Sequence, residues 1–364
     1  MSNDLIKQPI SVILAESPWI FALAAALILG PVPQADAHHG SAPHFDPEDP
    51  VTVEGTVSEL RFVNPHSFLH FDVTGADGET VEWRCEMGGA TNLGRLGWTS
   101  ETLTAGQPVT VSGPRARREA NSCAARSIVL EDGTEIGGGV QLQGTEVRTT
   151  VADEQFTAQR PRYLANGQPN LSGPWILRAG GGMGGGFPEH TEAGRIAAEA
   201  YDGRYDNPVI RCQSGNIILD WTRQSHVNDI SQDENRITIR YGYLDLLRTI
   251  HLDVSSHPET LTPGIAGHSI GRWEGDVLVV DTVGFMARVL IPRIPVMTSE
   301  QMHVVERFAY DEETRTLTRD YVVTDPLYLS EPLRGRDVSD IAAEPYRPFN
   351  CVDLSGENNR RPTE

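Results

Sequence analysis

Lysine is almost missing from this chain. Lys7 is the only one among 364 residues, so nothing beyond it can form a Schiff base, act as an amine general base or supply the phosphate-gripping lysine of a P-loop. Positive charge of any kind is scarce: 30 Lys+Arg stand against 50 Asp+Glu, for a formal net charge of −20. Such a surface repels phosphate backbones and anionic lipid, which argues against nucleic acid and membrane surfaces as partners. Cysteine is sparse too. Cys85, Cys123, Cys212 and Cys351 form no C-x-x-C pair, so zinc-site spacing is absent. No G-x-S-x-G nucleophile elbow and no H-E-x-x-H or other zincin helix is expected. Gly180–Gly186 (GGGMGGG) lacks both GK[ST] and a strand-to-helix context, so no nucleotide cofactor is expected.

Long hydrophobic runs are also lacking. The longest, Trp19–Gly30, covers 12 residues and is too short to span a bilayer comfortably. Followed by Ala35-Asp36-Ala37, it reads as a signal peptide over residues 1–37, with an uncleaved anchor as the alternative. Cleavage there makes His38 the first residue of a periplasmic or secreted protein without stable membrane association. Residues 1–37 hold three acids and one base, which leaves the mature chain at −18. In an oxidising compartment the four cysteines pair, and the domain division below favours Cys85–Cys123 and Cys212–Cys351 among three connectivities. Free thiols are the alternative.

A mature amino terminus at His38 sets an α-amine and an imidazole on one residue, a chelating pair for Cu(II). A further imidazole would complete a T-shaped brace. His66 is the candidate, because Pro65 holds it at a strand entrance; His39 and His44 are alternative ligands. His66 and His70, four residues apart on a strand, lie about 13 Å from each other and cannot share one ion.

Short alternating segments dominate the remainder. Val51–Val57, Ser67–Val73, Glu79–Arg84, Pro108–Ser112 and Ser127–Leu130 predict a small β-barrel or sandwich over residues 38–136. A Gly-rich linker is expected over 137–168. Beyond it, strands are predicted at Asn216–Arg223, Asn235–Tyr243, Leu247–Leu252, His268–Trp273, Val277–Val283, Met302–Tyr310 and Thr316–Val323, with one helix at Glu189–Ala200. Consecutive hairpins of this kind predict an all-β chain whose residues 169–364 close into a larger antiparallel, lipocalin-like barrel. Leu171-Ser172-Gly173-Pro174-Trp175 carries the G-x-W of such barrels, and the tryptophans are expected to be core anchors.

The barrel segment holds a polar set: His251, Asp253, His268, Arg272, Asp281, His303, Glu306 and Arg307. Alternation sets His303, Val305 and Arg307 on one strand face and Val304, Glu306 and Phe308 on the other. A cavity lined by His303 and Arg307, with His268 and Asp281 nearby, could bind a carboxylate or run acid–base chemistry.

The stretches His38-His39-Gly40, Phe62-Val63-Asn64-Pro65-His66-Ser67 and Leu93-Gly94-Arg95-Leu96-Gly97-Trp98 resemble exported bacterial proteins of unknown function whose first domain begins with histidines. Gly267-His268-Ser269-Ile270-Gly271-Arg272-Trp273-Glu274-Gly275-Asp276 and Met302-His303-Val304-Val305-Glu306-Arg307-Phe308 resemble an uncharacterised β-rich module. The resemblance implies export and a two-part β architecture. Two functional expectations stand together, beside a structural one in which both domains are interaction modules. One is a copper-binding protein using His38, His39 and His66. The other is a cofactor-free lyase, hydratase, isomerase or carrier whose barrel takes a small apolar or carboxylated ligand through His268, His303, Arg307 and Asp281.

Overall fold

The computed structural model describes residues 44–137, 160–179, 186–223, 225–292 and 294–353. The expected leader over 1–37, His38 and His39, most of the expected linker and nearly all of the GGGMGGG loop lie outside the described residues.

The first β-system starts with β1 (Phe45–Arg61), which pairs antiparallel with both β2 (Phe68–Thr74) and β4 (Pro108–Ala116). A register shift between Val57 and Glu59 lets both Val57 and Leu60 turn inward; an extra residue in one strand resets the two-residue phase. β3 (Thr80–Glu86) joins β2, and β5 (Ser122–Ala124) joins β3 and β4, which closes a five-stranded barrel. β6 (Ser127–Leu130) and β7 (Glu135–Gly137) extend it from β4. Short helix α1 (Ala90–Arg95) contributes Leu93 to a core with Leu69, Phe71, Trp98 and Val111. The disulfide Cys85–Cys123 joins β3 to β5 within that core.

The second β-system is a closed barrel of nine strands. They are β8 (Gly173–Leu177), β9 (Val227–Gln232), β10 (Arg236–Arg240), β11 (Leu247–His251), β12 (His268–Glu274), β13 (Val277–Val283), β16 (His303–Asp311), β17 (Thr316–Thr324) and β18 (Leu333–Ile341). A hairpin of β14 (Arg288–Ile291) and β15 (Val296–Thr298) lies outside the ring. Neighbours are antiparallel except β11 and β12, which run parallel over two residue pairs and are joined by the connection 252–267. The helix is shorter than expected: α2 (Glu192–Ala200) starts at Thr191, whose side chain accepts from Gly194 N. Trp175 donates to Leu171 O at 2.9 Å, so the G-x-W segment folds as a barrel strand with its tryptophan fully buried.

Asn216–Arg223 departs from expectation: it is a run of turns, not a strand. Asn216 Oδ1 accepts from the amides of Ile218 and Leu219, and Thr222 Oγ1 donates to Leu219 O. Such local side-chain bonds satisfy the backbone without a ladder. Ile217, Ile218 and Trp221 are consequently buried in the barrel core beside Tyr241, Phe308 and Tyr321. Cys212–Cys351 ties the start of this segment to the end of the described chain.

Candidate functional site

Alternation along three neighbouring strands sorts polar side chains between the two faces of the barrel wall. On β16, Val304, Glu306 and Phe308 are buried, whereas His303, Val305 and Arg307 are partly or fully exposed. On β13, Leu278, Val280 and Thr282 point inward and Asp281 outward. On β12, Ser269 and Gly271 point inward; His268, Ile270 and Arg272 face out. A cavity inside the barrel lined by His303 and Arg307 is therefore not what forms. Both side chains lie on the outside.

The interior is occupied by charge. Arg248 donates to Glu306, to Thr282 Oγ1 at 2.8 Å and to Ser269 Oγ at 3.0 Å. Arg319 donates to Asp337, to Glu306 Oε1 at 3.3 Å and to the carbonyls of Ile217 and Ile218 at 2.9 and 3.1 Å. All four charged side chains are at most 1 % exposed. Gly267-His268-Ser269-Ile270-Gly271 does spell G-x-S-x-G, yet Ser269 sits within a strand, fully buried and held by Arg248 and Thr282. That is the opposite of an exposed nucleophile on a strand-to-helix turn.

Outside, antiparallel register sets Asp281 opposite Ile270 of β12 and Val305 of β16, so His268 and His303 are its diagonal neighbours. His303 Nε2 lies 2.9 Å from Asp281 Oδ2. The second carboxylate oxygen, Oδ1, lies 2.9 Å from Nε2 of His257, which the connection 252–267 lays across the wall. His257 Nδ1 in turn lies 2.8 Å from His268 Nδ1, and the His268 ring stacks on His251 with centroids 5.1 Å apart. His303, Asp281, His257 and His268 thus form one continuous hydrogen-bonded relay.

Charge logic fixes the protons. An ionised Asp281 only accepts, so His257 and His303 each donate from Nε2. In a neutral His257 ring, Nδ1 then accepts from His268 Nδ1–H, and the lone pair of His268 is left on Nε2. Burial alone pushes the Asp281 carboxyl up, but hydrogen bonds and charge from His257 and His303 outweigh it and hold it below the usual value. Burial, then His257 and His251, push the His268 ring down, which keeps it neutral. The relay joins a carboxylate held ionised to an imidazole held basic-side up.

A cleft of about 450 Å³ adjoins the relay, lined by Gln168, Leu252, Asp253, Val254, Ile270, Arg272 and Trp273 among others. Ile270 lies two residues from His268 on the same outer face, about 7 Å along the strand. Leu252 follows His251 directly. The cleft forms where β11 ends and the chain departs, while β12 runs on beyond it.

Of the expected acid–base residues, His268, His303 and Asp281 come together. Arg307 does not: it pairs with Glu274 Oε2 at 2.9 Å, and Arg272 takes the other oxygen at 2.9 Å. His257 went unmarked in the sequence because its segment, Ser255-Ser256-His257-Pro258, has no alternation. Its one signal is a histidine before a proline inside an otherwise polar connection. Of the expected metal ligands, His66 lies within the described residues, half-exposed, with Nδ1 3.0 Å from Glu86 Oε1. Among the described residues, no group of three or more His, Cys, Asp or Glu side chains is arranged to hold a metal ion. Nor is any helix among them long and apolar enough to cross a membrane.

Residues 27–124 match the model of a family of unknown function, DUF6152. The match runs through β1 to β5, the strands of the five-stranded barrel, and stops short of the relay. No curated protein matches the chain.

Proposed function

We propose that this protein is a cofactor-free acid–base catalyst, a lyase, hydratase or isomerase, acting on a small apolar or carboxylated molecule held in the cleft beside His268. The continuous relay His303–Asp281–His257–His268 carries this reading. When His268 Nε2 takes a proton from a substrate carbon or oxygen, His268 Nδ1–H passes to His257 Nδ1. The positive charge then rests on the ring paired with Asp281, a lower-energy position than His268 itself, and the proton returns by the same route. General acid–base catalysis of this type contributes typically ~10²–10⁴-fold. Leu252, Val254, Ile270 and Trp273 offer an apolar wall for the substrate body, and Arg272 a positive charge for a carboxylate.

The test is solvent-deuterium exchange, followed by proton NMR, over a panel of small 2-oxoacids and cyclic ketones. Wild-type protein should label at least one of them at the carbon next to the carbonyl. His268→Gln should lose ~100-fold or more of that rate, and Asp281→Asn nearly as much. Exchange that never exceeds buffer, or that survives His268→Gln, overturns the reading.

A second reading is copper binding through a mature His38, with His39 and His66. The observation in its favour is the Glu86 carboxylate on His66 Nδ1, which directs the ring's lone pair to Nε2 and strengthens it as a ligand. An intact mass starting at His38 and Cu(II) affinity that drops by orders of magnitude on adding one residue ahead of it would support this. A retained leader would end it. For either reading the proposed setting is the periplasm or the extracellular space, in keeping with the two disulfides.

A further inference from the structure

The connection that leaves β11 is anchored by backbone at both ends. The Leu252 amide donates to Asn235 O at 2.7 Å and the Gly264 amide to Gly284 O at 3.0 Å. Between these anchors, among the described residues, 253–263 form no backbone–backbone hydrogen bond. The whole stretch is exposed except for His257 and Leu261. Leu261 packs over Gly284, where a Cβ would stand 2.9 Å from its Cδ1. His257 holds the stretch to the wall through Asp281 Oδ1 at 2.9 Å and His268 Nδ1 at 2.8 Å. Among the described residues, these are the only hydrogen bonds that 253–263 make. Asp253, Val254 and Ser255 of the same stretch form one side of the cleft. A segment fixed at its two ends and latched by one ring between them is a strap beside the cleft.

The geometry of the latch makes it sensitive to protons. Two imidazole nitrogens 2.8 Å apart need one proton between them. The neutral pair has it, and so does the pair with one proton added, because one ring still offers a lone pair. With both rings protonated, two N–H groups and two positive charges would meet across that contact, and it cannot hold. Asp281 from β13 and His268 from β12 face His257 directly. Behind them stand His303 of β16, on the other oxygen of Asp281, and His251 of β11, stacked on His268 at 5.1 Å. Asp253 and Glu259, on the strap itself, are exposed. Asp281 therefore favours the first added proton, on His257. The second has to go on His268, which burial, then His257 and His251, push down.

We propose that residues 253–263 are an acid-released strap: protonation of both His257 and His268 frees the latch and opens the cleft. Once lifted from the wall, both rings titrate as ordinary imidazoles, at about 6.5. The released form then binds one proton more than the latched form, so falling pH favours release. The latched-to-released ratio should fall ~tenfold for each pH unit below about 6. The anchors at Leu252 and Gly264 stay in place, so the barrel keeps its fold while one side of the cleft swings away. Near neutrality the cleft is closed around its ligand, and in acid it stands open. The proposal rests on the catalytic reading for the use of the cleft, but its test needs no substrate.

Methyl NMR of the full chain, labelled at leucine and valine, tests it at pH 8 and pH 5. Val254 and Leu261 report on the strap, and the buried Leu278 and Leu317 on the barrel core. In wild type the strap signals should move between pH 8 and pH 5 towards those of His257→Ala, while the core signals stay fixed. His257→Ala should show the released positions at both pH values. His268→Gln leaves no second ring to charge and should keep the latched positions at both. Wild-type strap signals that are the same at pH 5 and pH 8 overturn the proposal, as does an acid shift that the core shares. So does a His257→Ala strap that matches the latched wild type, or an acid shift that persists in His268→Gln. The deuterium-exchange assay succeeds or fails independently of these spectra, so the strap and the catalytic reading fall separately.

Discussion

Glu306 accepts from both Arg248 and Arg319, and together with Asp337 it sets two buried carboxylates against two buried guanidinium groups. The balance of charge explains how four ions survive inside the barrel: each has an opposite neighbour, and Thr282, Ser269 and two carbonyls take up the remaining donors. Removing one partner is a different matter from removing the pair. Glu306→Gln leaves Arg248 buried without its counter-ion and should cost about 3–5 kcal/mol, read as a lower urea midpoint. Replacing Glu306 with Leu and Arg248 with Met together should cost much less than that single change, because no uncompensated charge remains. Equal losses for the single and double variants would mean that packing, not charge pairing, holds this layer. In the sequence, Glu306 read as a residue facing away from His303, and its face was legible from alternation. Its partners were not, since Arg248, Arg319 and Asp337 come from three other strands and nothing in their spacing links them.

At the scale of elements, strands with strict two-residue alternation were legible. β12, β13 and β16 appear within a residue or two of where hydrophobic periodicity sets them. The same periodicity misread Asn216–Arg223, where Ile217, Ile218 and Trp221 are apolar because they enter the barrel as a plug rather than line its wall. Short pieces such as β5 and β7 were missed because three residues give alternation nothing to repeat. Helix α2 shows how packing overrides local preference. Gly194 in its first turn is unfavourable by helix propensity, and alanine there would gain about 1 kcal/mol in isolation. A Cβ at Gly194, however, would overlap the backbone carbonyl of Tyr328, a wall that cannot swing aside as a side chain could. Overpacking of this kind costs about 1–3 kcal/mol, so the balance favours glycine. Gly194→Ala should lower the melting temperature; a rise would show that α2 is free to shift outward.

Across the whole molecule, specific hydrogen bonds link the two β-systems. Asn64 donates to Phe349 O at 2.7 Å and to Thr91 Oγ1 at 2.9 Å, accepts from the Thr91 amide at 3.1 Å, and its carbonyl accepts from Val352 N at 2.8 Å. Arg95 adds a bond to Ser225 O at 2.9 Å. The segment that Asn64 grips contains Cys351, whose disulfide to Cys212 anchors the start of the barrel plug across a separation of 139 residues. Closing a loop that long restrains the unfolded chain by about 5 kcal/mol in the entropic model. One asparagine therefore bears on the five-stranded barrel, the tail and the plug at the same time. The role explains why Val63-Asn64-Pro65-His66-Ser67 stands out in the sequence, where its histidine drew the metal reading and its asparagine drew none. Asn64→Ala would strand the Phe349 carbonyl and the Thr91 groups, at a cost of about 3 kcal/mol. Because the loss falls on the link and not on either core, calorimetry should show one thermal transition for the wild type and two for the variant, the five-stranded barrel separating from the nine-stranded one. Cys212→Ser with Cys351→Ser should broaden the same split. A single sharp transition in both variants would mean that the barrels are joined by contacts other than this grip.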